Sequence, residues 1–146
     1  MQTAQRKRSL LFGGALLILI GLFAGVAVPA MATARLGLAA HLAGVQGGLL
    51  VMVVAFAWPH LALDERAERI AFGATLFSNY GLYGALQLAA VFGTSRATPI
   101  AGAGSSGSLW QEALVEGLLY IGAISAIVAL GLIVWGLRPG TKPQAA

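Results

Sequence analysis

The chain has 146 residues, a net charge of +4 and no cysteine; 58% of its residues are hydrophobic and only 10% are charged. No water-soluble core needs that much apolar sequence, so composition points to an integral membrane protein, all-α, with one domain over residues 1–146. The absence of cysteine excludes disulfides, thiolate metal sites and thiol nucleophiles. The basic residues sit in tails and short loops rather than along one face, so they report membrane orientation and no nucleic-acid partner.

Four apolar runs are long enough to cross about 30 Å of hydrocarbon. The first is Ser9 to Val28, ended by Pro29. Its n-region of Arg6, Lys7 and Arg8 and the "AMA" at Ala30 to Ala32 have the look of a signal peptide. The run, however, exceeds the usual h-region of about 7 to 15 residues, which favours a retained helix. The second run is Gly37 to Trp58, ended by Pro59; the third is Ile70 to Phe92, preceded by Asp64, Glu65 and Glu68 as a helix start; the fourth is Glu112 to Leu137. These give a four-helix bundle.

Arg6, Lys7, Arg8, Arg66, Arg69, Arg138 and Lys142 fall on one side, and Arg35 and Arg96 on the other. The positive-inside rule then puts both termini in the cytoplasm of a multi-pass protein in a bacterial inner membrane. Trp58, Trp110 and Trp135 lie near helix ends, as interface anchors do. Gly21 with Gly25, and Gly44 with Gly48, have the spacing that lets helix backbones approach closely.

Polar residues within the spans cluster at one depth. At about 1.5 Å per residue from the outer ends, His41 lies about 6 Å in, Gln46 about 13 Å, Gln87 about 8 Å, Tyr83 about 14 Å and Asn79 about 20 Å. On the fourth run Glu116 is about 6 Å in and Tyr120 about 12 Å. Asn79, Tyr83 and Gln87 make one helical stripe, Glu112, Glu116 and Tyr120 another, and His41 shares its face with Gly44 and Gly48. Three stripes at similar depth suggest a cavity open to the outer side, with lateral access through the lipid as the alternative. Interhelical hydrogen bonding is the competing explanation for each of these residues, and for Gln87 and Tyr120 the better one. A lone imidazole cannot build a zinc site, which needs three or four ligands, whereas one is enough as the axial ligand of a haem. On the residues alone interhelical hydrogen bonding and haem ligation both remain open for His41.

The stretches "GLAAHLAGVQGGLLVMVVAFAWP", "AFGATLFSNYGLYGALQLAAVFGTSRATPIAGAGSSG" and "WQEALVEGLL" resemble the hydroxylaminobenzene mutase family, which is similar in turn to the styrene oxide isomerases. The resemblance runs from about Arg35 to Leu137, and the "FGTSRATPIAGAG" loop favours the mutase branch. It implies a homotrimer with haem b between subunits and His41 as the axial ligand and metal-binding residue. It also implies that Asn79 and Tyr83 are active-site residues. Gly44 and Gly48 would then lie against the cofactor, Gln46 and Phe77 would contact a small aromatic, lipophilic substrate, and Leu76 would add to its apolar walls. Three positions depart from the family pattern: Gly47, where an Asn is usual; Ala43, where the mutases carry Glu; and Thr75, where the isomerases carry an acid.

The implied activity is isomerisation of an aryl hydroxylamine to a 2-aminophenol, with ferric haem as Lewis acid. Two rival expectations are epoxide-to-aldehyde isomerisation and a non-catalytic haem-binding or transport protein. Electron transfer usually wants two axial ligands, and His60 lies at the opposite face of the membrane from His41.

Overall fold

The computed structural model describes residues 2–139; Lys142 lies outside them. The described residues form helices α1 (Gln2–Ala27), α2 (Ala34–Ala57), α3 (Glu65–Phe92), the single turn α4 (Pro99–Gly102) and α5 (Leu109–Gly136). Pro29 and Pro59 each sit in a short 3₁₀ turn, Val28–Ala30 and Trp58–His60, that ends the helix before it. Local chemistry sets the other ends. The Asp64 carboxylate caps α3 by accepting from the Ala67 amide at 2.7 Å. Gly93, at φ 69°, closes α3 in the left-handed conformation that costs glycine nothing. Ser108 and Gln111 make a capping box at the start of α5.

By length and composition α1, α2 and α5, with their flanking turns, are apolar enough to cross a membrane. The remaining expected span, Ile70 to Phe92, falls inside α3, which is as long as α5 but less apolar. It carries Glu65, Arg66, Glu68 and Arg69 in its first turns and Ser78, Asn79 and Gln87 further along. Those residues lower its hydropathy without breaking the helix.

The long helices pack in the order α1 on α2, α2 on α3 and α3 on α5, with a smaller contact between α1 and α3. Neither α1 nor α2 forms a substantial packed face with α5. The closest approach is α1 on α2, and glycine makes it. A methyl added at Gly48 would stand 2.5 Å from the Gly14 carbonyl oxygen, and one at Gly44 would stand 2.7 Å from the Gly21 Cα. Backbone therefore lies on backbone over two turns, which only residues without a Cβ permit.

Two apolar clusters lie at opposite ends. Leu10, Val51, Val54, Trp58, Leu63 and Ile133 are buried at one end, and Leu36, Ala89, Ala90 and Val115 at the other. At the first end Glu68 gathers three elements: its carboxylate pairs with Arg6 of α1 and accepts from Trp58 Nε1 at 2.8 Å. Arg6 thus ties the part of α1 that precedes the hydrocarbon stretch to α3. Gly48→Ala should force α1 and α2 apart. A loss of about 1–3 kcal/mol, the usual cost of overpacking a tight contact, is expected as a lowered thermal midpoint in detergent, read by circular dichroism.

Candidate active site

His41 projects from α2 toward α1. Its Nδ1 lies 2.9 Å from the carbonyl oxygen of Gly21. A carbonyl only accepts, so this bond places a proton on Nδ1, and in the neutral ring the lone pair is then on Nε2. The same arrangement, one ring nitrogen held by a carbonyl and the other free, is how proteins prepare a histidine to ligate a metal. Gly25 makes the seat: a methyl there would stand 2.5 Å from Nδ1. The residues around His41 are Leu22, Gly25, Val26, Val28, Pro29 and Leu38, which line an open apolar groove between α1 and α2. Among the described residues no cluster of three His, Asp or Glu side chains suited to a metal occurs. The groove therefore offers one nitrogen ligand and apolar walls, a donor set that suits a ring cofactor supplying its own equatorial nitrogens and does not suit a bare ion.

Tyr83 reaches the same stretch of α1 from α3. Its hydroxyl donates to the Ile20 carbonyl at a loose 3.4 Å, and its ring lies against Gly44. His41 and Tyr83 thus hold consecutive carbonyls, Gly21 and Ile20, from two sides. Asn79, one turn from Tyr83, lines a cavity bounded by α2, α3 and α5. Its Nδ2 donates to the Thr75 carbonyl at 2.8 Å, on its own helix.

Several expected site residues lie elsewhere. Gly44 and Gly48 are buried against α1 and do not line the His41 groove; their part is to set the helix separation that lets His41 reach Gly21. Gln46 is exposed on the outer surface of α2. Phe77 is 47% exposed, and with Leu76 it lines a different groove, between α1 and α3. Among the described residues Gln87 makes its side-chain contact with the Met31 sulfur, at 4.0 Å, and its buried Oε1 has no hydrogen-bond partner. The α5 stripe does not face a cavity with the others. Tyr120 is 64% exposed, Glu116 pairs with Arg96, and Glu112 turns into the loop between α3 and α5. The single cavity inferred from three polar stripes is therefore replaced by two separate features. The His41 groove and the Asn79 cavity lie on opposite sides of α2, because His41 and the cavity-lining Leu50 and Val54 are about half a helical turn apart.

A model of the styrene oxide isomerase family matches residues 6–138. The chain belongs to this family. It is 38% identical over 136 residues to hydroxylaminobenzene mutase HabB of Ectopseudomonas oleovorans, covering 92% of this chain and 83% of the relative. It is 32% identical over 108 residues to hydroxylaminobenzene mutase HabA of the same organism, covering 73% and 80%. No solved structure gives a significant match. The protein is an isomerase.

The loop that carries the strongest family likeness is a built structure. The Glu112 carboxylate accepts from the backbone amides of Ser95, Arg96 and Gly107 at 3.1, 2.9 and 3.0 Å. Arg35 Nη1 donates to the Ile100 carbonyl at 3.1 Å, and the Thr33 amide to the Ala90 carbonyl at 3.1 Å. The loop of this isomerase is thereby fastened to the ends of α2, α3 and α5. The spacing of Glu112 puts it on a polar stripe but does not reveal this role, since no local spacing links a helical carboxylate to amides up to 17 residues away. Gly25 was legible as half of a close-packing pair, though not as the seat of His41.

Nitrogen-15 spectra of histidine-labelled protein should report His41 as the Nδ1–H tautomer. In Gly25→Ala the added methyl displaces the ring, and the Nδ1–H signal should lose its hydrogen-bonded shift or mix with the other tautomer.

Proposed function

We propose that this isomerase is a haem-dependent, multi-pass membrane enzyme that converts aryl hydroxylamines such as hydroxylaminobenzene to 2-aminophenols. The observation that carries the reading is the His41 imidazole, with Nδ1 tied to the Gly21 carbonyl and Nε2 left bare beside an apolar groove. The likeness to HabB and HabA supports the mutase branch over epoxide isomerisation. α1, α2, α3 and α5 serve as four spans, with Arg6, Lys7, Arg8, Arg66, Arg69 and Arg138 on the cytoplasmic side of a bacterial inner membrane and both termini there.

His41 Nε2 is the group that would hold haem b, with Leu22, Val26 and Leu38 against the ring. When bound, a ferric haem supplies a Lewis acid for the hydroxylamine oxygen. The reaction is an internal transfer: the N–O bond breaks, a C–O bond forms at the ortho carbon, and the proton leaving that carbon is taken up by the nitrogen, giving the amine as the ring regains aromaticity. No electrons enter or leave. Tyr83 is suited to donate to the moving oxygen, because its present bond to Ile20 is long and easily exchanged. Asn79, one turn away, orients the polar end of the substrate.

One chain presents His41 and Asn79 on different sides of α2. The site is completed in a homotrimer, in which a second copy covers the open His41 groove. Exposed Gln46 and Phe77 are then free to meet the neighbouring subunit or the substrate.

Purified protein expressed with a haem supply should show a Soret band that His41→Ala abolishes while the protein still inserts. A colourless wild type overturns the cofactor assignment. Given phenylhydroxylamine and styrene oxide separately, the same preparation should yield 2-aminophenol from the first; rapid conversion of the epoxide alone reverses the ranking. Tyr83→Phe should lower kcat by roughly 10- to 1,000-fold, the range for one oxyanion-type donor, at unchanged haem content.

A further inference from the structure

We propose that the groove between α1 and α3 is a binding site for an anionic phospholipid, with the lipid phosphate beside Arg6 and one acyl chain lying along the helices toward the middle of the bilayer. Two recesses meet at Ser9, which lines both. The first, about 310 Å³, is polar: Gln5 and Arg6 of α1 border it, with Phe72 of α3 as its far wall. The second, about 420 Å³, is apolar: Phe12 and Leu16 of α1 stand opposite Leu76 and Phe77 of α3. The Tyr80 hydroxyl at this second recess donates to the Gly13 carbonyl at 2.7 Å, so it asks nothing of an occupant.

Length and charge decide what lies there. At about 1.5 Å per residue, Gln5 to Leu16 spans about 16 Å. One leaflet's share of a hydrocarbon core of about 30 Å is about 15 Å. The groove therefore runs the depth of one leaflet, polar at the surface and apolar within. A soluble anion would leave the apolar recess empty, and a plain hydrocarbon would leave the polar one empty; a phospholipid matches both. Two cations stand at the polar end against one carboxylate. Arg6 pairs with Glu68. Arg8, exposed and on the same side of α1 as Gln5 and Phe12, has no anionic partner among the described residues. On the α3 side Arg69 and Glu65 cancel each other. Basic pockets between helices at a membrane surface favour anionic head groups. That this leaflet is the cytoplasmic one rests on the orientation proposed above; the site itself needs only that the helices cross the bilayer.

The test is native mass spectrometry of the purified full chain in mild detergent, with dioleoyl phosphatidylglycerol or dioleoyl phosphatidylcholine added at equal concentration. One phosphatidylglycerol per chain should be retained under conditions that strip phosphatidylcholine. Gln5→Glu and Lys7→Gln change the net charge equally, but position 7 lies about 200° around α1 from position 5, and Lys7 Nζ stands over the Phe56 ring at 5.7 Å. Gln5→Glu should weaken retention by about fivefold, the effect of one charge at a membrane surface, and Lys7→Gln should leave it unchanged. Ser9→Phe plugs the neck between the recesses from an exposed position and should abolish retention at unchanged helix content by circular dichroism. Should that variant fail to fold, the two charge variants decide alone. Glycerol 1-phosphate, which has the anion and no acyl chain, should not displace the lipid. Equal retention of both lipids, equal effects of the two charge variants, or displacement by glycerol 1-phosphate overturns the proposal. So does a folded Ser9→Phe that keeps its lipid; if its oligomer mass changes instead, the groove is a contact between copies.

Discussion

The backbone contact between α1 and α2 is the constraint on which the site depends. Gly14 faces Gly48 and Gly21 faces Gly44, with Gly25 one turn beyond Gly21 receiving the His41 ring. Had any of the four packed positions carried a side chain, the helices would stand further apart, and His41 would not reach the Gly21 carbonyl. The imidazole tautomer is thus decided by helix separation rather than by a neighbouring carboxylate. In a membrane, where association draws on van der Waals contact and not on the hydrophobic effect, glycine is the residue that makes such an approach favourable.

The same contact explains which parts of the site were legible in the sequence. A lone histidine and paired glycines are visible because their types are rare and their spacing is local. Asn79 and Tyr83 are legible as a stripe for the same reason, and the structure keeps them on neighbouring turns. The exposure of Gln46, Phe77 and Tyr120 was not legible, because depth along a helix is readable from residue count, whereas the direction a side chain faces depends on which helices pack beside it. The α5 stripe shows this best: Glu112, Glu116 and Tyr120 share a spacing, yet one holds a loop, one pairs with Arg96 and one is exposed. The helices themselves were foreseen with small errors at their ends, since proline, aspartate and glycine stops act locally. The lower apolarity of α3 follows from its carrying both the charged entry segment and the polar stripe.

The two ends of the molecule are built around one carboxylate each. Glu68 joins α1, the end of α2 and α3 through Arg6 and the Trp58 indole. Glu112 joins α5 to the loop through three amides. Between them the interior has few ties other than packing, Tyr80 to the Gly13 carbonyl at 2.7 Å being the shortest that links α3 to α1. Such a frame is held at both ends and tolerant of variation in the middle, where the groove and the cavity lie.

The glycines that serve none of these contacts have a practical meaning. At Gly73, Gly81, Gly84, Gly117 and Gly131 an added methyl group would meet nothing within 4 Å. In water-soluble helices each glycine costs about 0.5–1 kcal/mol relative to alanine. α3 and α5 therefore hold a reserve of unclaimed rigidity on their outer surfaces, open to an engineer who wants a hardier catalyst without disturbing the histidine seat. The glycines among the described residues divide by what they touch: some are keystones, and others are slack.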